Sequence, residues 1–111
     1  MQLSEGAAAW EQLHLMAKEI SVLVTEAKMS VSVAESCTGG AMAMILSSIS
    51  GASGWFAGGV VAYSNDLKEH LLGVPGSIIR ERGAVSSETV LAMAEGIRNV
   101  TGTDIAIAVT G

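Results

Sequence analysis

The sequence has a single cysteine, Cys37, so no disulfide can form within the chain. No secretory signal pattern opens it either, and the two absences together point to a reducing, cytoplasmic setting. Positive charge is scarce: six Lys and Arg stand against eleven Asp and Glu, a net charge of −5. Such a chain offers no attractive field to a phosphate backbone, which argues against nucleic-acid binding. No group of His, Cys and carboxylates has ligand spacing, so neither a metal nor another cofactor is expected. Between Cys37 and Asn65 no residue is charged, yet Ser47-Ser48-Ile49-Ser50-Gly51-Ala52-Ser53-Gly54 breaks the run with polar and flexible positions. A membrane-spanning helix needs about 20 predominantly apolar residues, so no such segment is expected.

What is present is apolar bulk: half of the 111 residues are hydrophobic and 15% are charged. That balance suits one compact domain, residues 1–111, with a modest core. Leu13, Met16, Ala17, Ile20, Leu23, Val24 and Ala27 recur at three- and four-residue spacing, which predicts an amphipathic helix over 5–28. Residues 31–34 read as a strand, 38–49 as a helix, 50–54 as a turn and 55–63 as a second strand. In that strand Gly58-Gly59 marks a bulge or a close backbone approach. Ser64 or Asn65 caps a short helix to Leu72, and 76–84 reads as a loop with some helical character. Ser86 caps a helix to about Val100, with Val90, Met93, Ala94 and Ile97 facing inward, and Gly102 ends it. Residues 104–110 form an uncharged strand, expected to be buried on both faces. Strands alternating with helices predict an α/β layered fold with a largely parallel sheet.

The stretch with most chemistry is Ser36-Cys37-Thr38-Gly39-Gly40, between a strand and a helix. Free amides at such a helix start can hold a phosphate, stabilise an oxyanion beside a nucleophile, or simply be capped by Ser36. In a parallel sheet Ser36, Tyr63 and Thr110 meet at one edge, with Lys68 a helical turn beyond Tyr63. A serine is a weak nucleophile until a base takes its proton. His14 and His70 sit on helices as surface or packing residues, which leaves Lys68 as the better base, provided that desolvation lowers its pKa. Tyr63 can relay a proton or stand as a wet strand-end aromatic. Cys37 reads as a packing residue or a rival thiol nucleophile. Glu35 reads as a base, an orienting carboxylate, or a strand-end charge balanced by the helix dipole. Arg80, Glu81 and Arg82 read as a solvated loop, with one arginine in principle able to reach a phosphate.

Five blocks carry a resemblance: Ala34-Glu35-Ser36-Cys37-Thr38-Gly39-Gly40; Gly59-Val60-Val61-Ala62-Tyr63-Ser64-Asn65 with Lys68; Leu72-Gly73-Val74; Gly83-Ala84-Val85-Ser86; and Ala106-Ile107-Ala108-Val109-Thr110-Gly111. In order and spacing the chain resembles the CinA C-terminal domain family from about Leu13 to Gly111. The resemblance implies a three-layer α/β/α sandwich with a largely parallel or mixed sheet. It also implies hydrolysis of the carboxamide of nicotinamide mononucleotide to nicotinate mononucleotide and ammonia, a step of pyridine nucleotide salvage. By the same resemblance Ser36 is the nucleophile, Lys68 its base and Tyr63 a further catalytic residue. Thr38, Gly39, Gly40 and Thr110 would bind the nucleotide substrate, and a homodimer is suggested. Family members continue past the Val-Thr-Gly block and supply an arginine from there, so the resemblance implies a domain truncated at its C-terminus. The alternative function is a non-catalytic nucleotide-binding or interaction module.

Overall fold

The structure, a computed structural model, describes residues 3–111. In chain order it runs α1 (Leu3–Ala27), β1 (Val31–Glu35), α2 (Ala41–Ser47), a 3-10 turn (Ala52–Gly54), β2 (Phe56–Val61), α3 (Asn65–Leu72), α4 (Gly76–Arg82), α5 (Ser87–Thr101) and β3 (Ile105–Ala108). The three strands are all parallel, in the order β2-β1-β3. Parallel neighbours need crossovers, and the intervening helices supply them. α1 and α2 cover one face of the sheet and α3, α4 and α5 the other, so the layered α/β/α architecture is the one observed.

β1 is the centre of the molecule, and all five of its residues are buried. Successive strand side chains point to opposite faces, and β1 uses this to feed two cores. Val31 and Val33 pack with Ala17, Val24, Leu46 and Trp55. Ala34 packs on the other side with Leu72, Met93 and Ile97. Ser32 lies between Thr101 and Thr103, its hydroxyl 2.7 Å from Thr103 Oγ1.

Both alternatives for Gly58-Gly59 occur. Val31 pairs with Phe56 and Ser32 with Gly58, which leaves Ala57 as the extra residue of a bulge, and Gly58 takes φ 131°. At Gly59 a side chain would run into the Val33 backbone.

Several expectations need correction. The helix expected over 38–49 is only Ala41–Ser47, because Gly39 and Gly40 take φ of 60° and 103° and hold the preceding residues in a turn. The expected loop over 76–84, with Arg80, Glu81 and Arg82, contains helix α4, begun behind Pro75 and stopped by Gly83 at φ 86°. β3 is half-buried along its length rather than enclosed, because it pairs with β1 alone. On α1 Ala17 and Val24 are buried, but Leu13, Met16 and Leu23 face solvent at 43–65% exposure.

Candidate active site

The end of β1 places two polar residues on opposite sides of the sheet. Glu35 turns toward α2 and Ser36 toward α3. Gly40 precedes α2 without contributing a side-chain cap, and Glu35, fully buried, does that work instead. Its Oε1 accepts from Thr38 Oγ1 at 2.7 Å and from the Met42 amide at 2.9 Å, while Oε2 accepts from the Ala43 amide at 2.9 Å. Burial by itself raises the Glu35 pKa. The hydrogen bonds from Thr38 and the Ala43, Met42 and Gly40 amides outweigh it and hold the carboxyl below its usual value.

Freed from capping, Ser36 meets α3. That helix is well specified: Ser64 Oγ accepts from the Leu67 amide, Asp66 lies in the first turn, and Gly73 closes it in the left-handed region. Lys68 sits on its inner face at 1% exposure. Its Nζ donates to Ser36 Oγ at 3.1 Å and to the Tyr63 carbonyl at 2.9 Å. Burial pushes the Lys68 amine below the usual lysine range, and the neighbouring Cys37 sulfur opposes that in part.

Tyr63 enters through its backbone, and its side chain is 73% exposed. Thr110 lies at the end of the neighbouring strand, where its hydroxyl donates to the Ala84 carbonyl at 2.8 Å. It borders a cavity of about 420 Å³ shared with Val85, Ser86, Val90 and Val109. Gly111 returns to the Ser36 turn: a Cβ there would stand 3.3 Å from Cys37 Sγ. Cys37 itself is exposed. Thr38 contacts Glu35 through its hydroxyl, and Gly39 donates its amide to the Ser36 carbonyl at 3.1 Å. The two histidines have partners elsewhere. His14 lies 3.4 Å from Ser48 Oγ, and His70 Nδ1 lies 2.8 Å from the Asp66 carbonyl.

Ser36 is therefore not the cap of α2, contrary to one expectation; the preceding carboxylate takes that place. Of the three readings of Glu35, the strand-end charge set against helix amides is the geometry found. The Tyr63 carbonyl was beyond sequence reasoning, because any residue supplies a carbonyl. Among the described residues no three His, Cys, Asp or Glu side chains gather closely enough to hold a metal ion, and no helix is long and apolar enough to cross a membrane.

The profile of the CinA C-terminal domain matches residues 13–111. A CinA-like protein of Synechococcus sp. (strain CC9902) is 51% identical over 89 residues, 80% of this chain and 21% of that protein. A CinA-like protein of Thermotoga maritima is 48% identical over 89 residues, 80% of this chain and 22% of its own. Among solved structures, the competence/damage inducible protein CihA of Agrobacterium tumefaciens superposes with TM-score 0.87 at 40% identity, covering 89% of this chain and 60% of that one. The competence damage-inducible protein A of Klebsiella pneumoniae gives TM-score 0.88 at 33% identity, with 89% and 62% covered. The chain thus spans less than a quarter of the full-length relatives and about six-tenths of the solved chains. Sequence profile, identity and superposition agree that this chain belongs to the CinA C-terminal domain family.

Proposed function

We propose that this domain is an amidohydrolase of nicotinamide mononucleotide, with Ser36 as nucleophile and Lys68 as its base. The observation that carries the reading is a buried amine, lowered in pKa, 3.1 Å from a serine hydroxyl. A neutral Lys68 has two N–H groups and one lone pair. One N–H satisfies the Tyr63 carbonyl, and the lone pair is then free to accept the Ser36 proton.

As Oγ attacks the carboxamide carbon, its proton passes to Nζ, and the carbonyl oxygen becomes an oxyanion. Collapse of that intermediate expels the nitrogen as ammonia, protonated by Lys68. A water, deprotonated by the neutral amine so regenerated, then cleaves the acyl ester and frees the nicotinate product and Ser36. In this reading Thr110 and the Thr38-Gly39-Gly40 turn contact the substrate.

Purified protein incubated with nicotinamide mononucleotide should release ammonia and nicotinate mononucleotide in equal amounts. Ser36→Ala and Lys68→Met should each abolish release. Nucleotide binding without ammonia would instead favour a non-catalytic module, and turnover that survives Ser36→Ala but not Cys37→Ala would move the nucleophile to the thiol.

A further inference from the structure

Hydrogen bonds in the turn after β1 can be accounted for amide by amide. The Gly39 amide bonds to the Ser36 carbonyl and the Ala41 amide to the Thr38 carbonyl, both at 3.1 Å. Met42 and Ala43 donate to Glu35. The Gly40 amide also points at that carboxylate, and the Met44 amide bonds to the Gly40 carbonyl at 2.9 Å. Among the described residues, the amides of Ser36, Cys37 and Thr38 in this turn have no partner within the protein, and those of Cys37 and Thr38 directly follow the serine. The start of α2, which a substrate phosphate would otherwise use, is filled by the protein's own carboxylate.

We propose that Glu35 is a positioning residue for the hydrolysis. Glu35 binds the α2 amides and the Thr38 hydroxyl, and so holds the turn in the one shape that presents the Cys37 and Thr38 N–H groups beside Ser36 Oγ. Those two amides receive the oxyanion that forms when Ser36 attacks, and the nucleotide phosphate is held elsewhere. This assignment rests on Ser36 being the nucleophile of the proposed function.

Oxyanion donors act on the transition state and not on ground-state binding, so the two kinetic constants separate the roles. Glu35→Gln keeps the size of the side chain but replaces one acceptor with an NH2 facing an amide. A displacement of the turn by an ångström is expected to lower kcat by about 100-fold, with KM for nicotinamide mononucleotide nearly unchanged. Thr38 is exposed, so Thr38→Val should fold even where changes at Glu35 do not. It should lower kcat in the same sense, and Thr38→Ser, which restores the hydroxyl, should recover most of the loss.

A second readout is the rate at which a fluorophosphonate labels Ser36, since the phosphonyl oxygen needs the same two donors and no nicotinamide. Labelling should fall in parallel with kcat in Glu35→Gln and Thr38→Val. Wild-type turnover with unchanged kcat and labelling in both variants would overturn the positioning role and leave the amidohydrolase reading intact. Wild-type labelling without ammonia release would overturn the substrate instead, and the labelling ratios would still decide the role of Glu35. A rise in KM with kcat preserved would place the phosphate at this turn and sink the proposal. A wild-type protein that neither labels nor turns over would sink both.

Discussion

Lys68 is the residue whose surroundings cost most and matter most. Taking a charged amine out of water is unfavourable, and among the described residues its hydrogen-bond partners are a hydroxyl and a carbonyl, not a carboxylate. Its folded pKa is lowered, so the unfolded chain binds this proton more readily. Stability therefore rises with pH from the lowered value up to the ordinary lysine pKa of about 10.4. Lys68→Met removes this burden, and water at the exposed Tyr63 can satisfy the orphaned carbonyl. The variant should be inactive yet melt no lower than wild type near neutrality, and thermal scans across pH should show its advantage narrowing toward alkaline pH. In the proposed reaction the amine must be neutral, so kcat/KM should rise through an acid limb whose midpoint lies below the ordinary lysine value. A limb at or above that value would show that Lys68 is not the base. Glu35 behaves in the opposite sense: its lowered pKa contributes stability above the ordinary glutamate value that is lost as acid titrates the carboxylate.

At the scale of elements, the caps of α3 and α5 were legible in the sequence, Ser64 as one of two candidates, whereas the Ser36 cap expected for α2 is not formed. Ser64 and Ser86 accept from the amides three residues on, and Gly73 and Gly102 close their helices in the left-handed region. The Ser36–Lys68 pairing was also within reach, because parallel strands deliver their carboxyl ends to one edge. The use of Glu35 was only half legible. An acidic residue before a Ser/Thr/Gly turn is compatible with several roles, and only the backbone path through Gly39 and Gly40 decides which amides it meets. The exposed side of α1 was not legible at all, since periodicity marks an apolar stripe without saying what covers it. Gly96 on α5 has no obvious signature either, yet it is where α5 crosses the end of α3. A Cβ there would run into the backbone carbonyl of Leu72, which cannot swing aside as a side chain would. Gly96→Ala gains about 1 kcal/mol of helix propensity, but overpacking against fixed backbone costs about 1–3 kcal/mol. The upper part of that range is expected here, so calorimetry should show a Tm several degrees lower; an unchanged or higher Tm would mean that α5 and α3 separate easily.

The whole molecule is a thin slab, 39 × 38 × 17 Å, with a core on each side of one sheet. Both cores are built on β1, so neither can be lost while the other stands. Leu46→Ala on one side and Met93→Ala on the other should each cost about 2–5 kcal/mol. Trp55 belongs only to the first core, at 3% exposure. Its fluorescence should nevertheless register Met93→Ala by the same shift in denaturation midpoint that circular dichroism shows. Two separated transitions would mean that the faces unfold independently.

The alternation of β1 carries a last consequence. Glu35 and Ser36 are joined by a single peptide bond, and that bond also divides the two halves of the molecule. Inserting or deleting one residue ahead of them would exchange their sides, aiming the hydroxyl at the amides of α2 and an anion at Lys68. A one-residue change in the length of this strand, unless a bulge absorbs it, would therefore abolish the Ser36–Lys68 pair and the Glu35 contacts together.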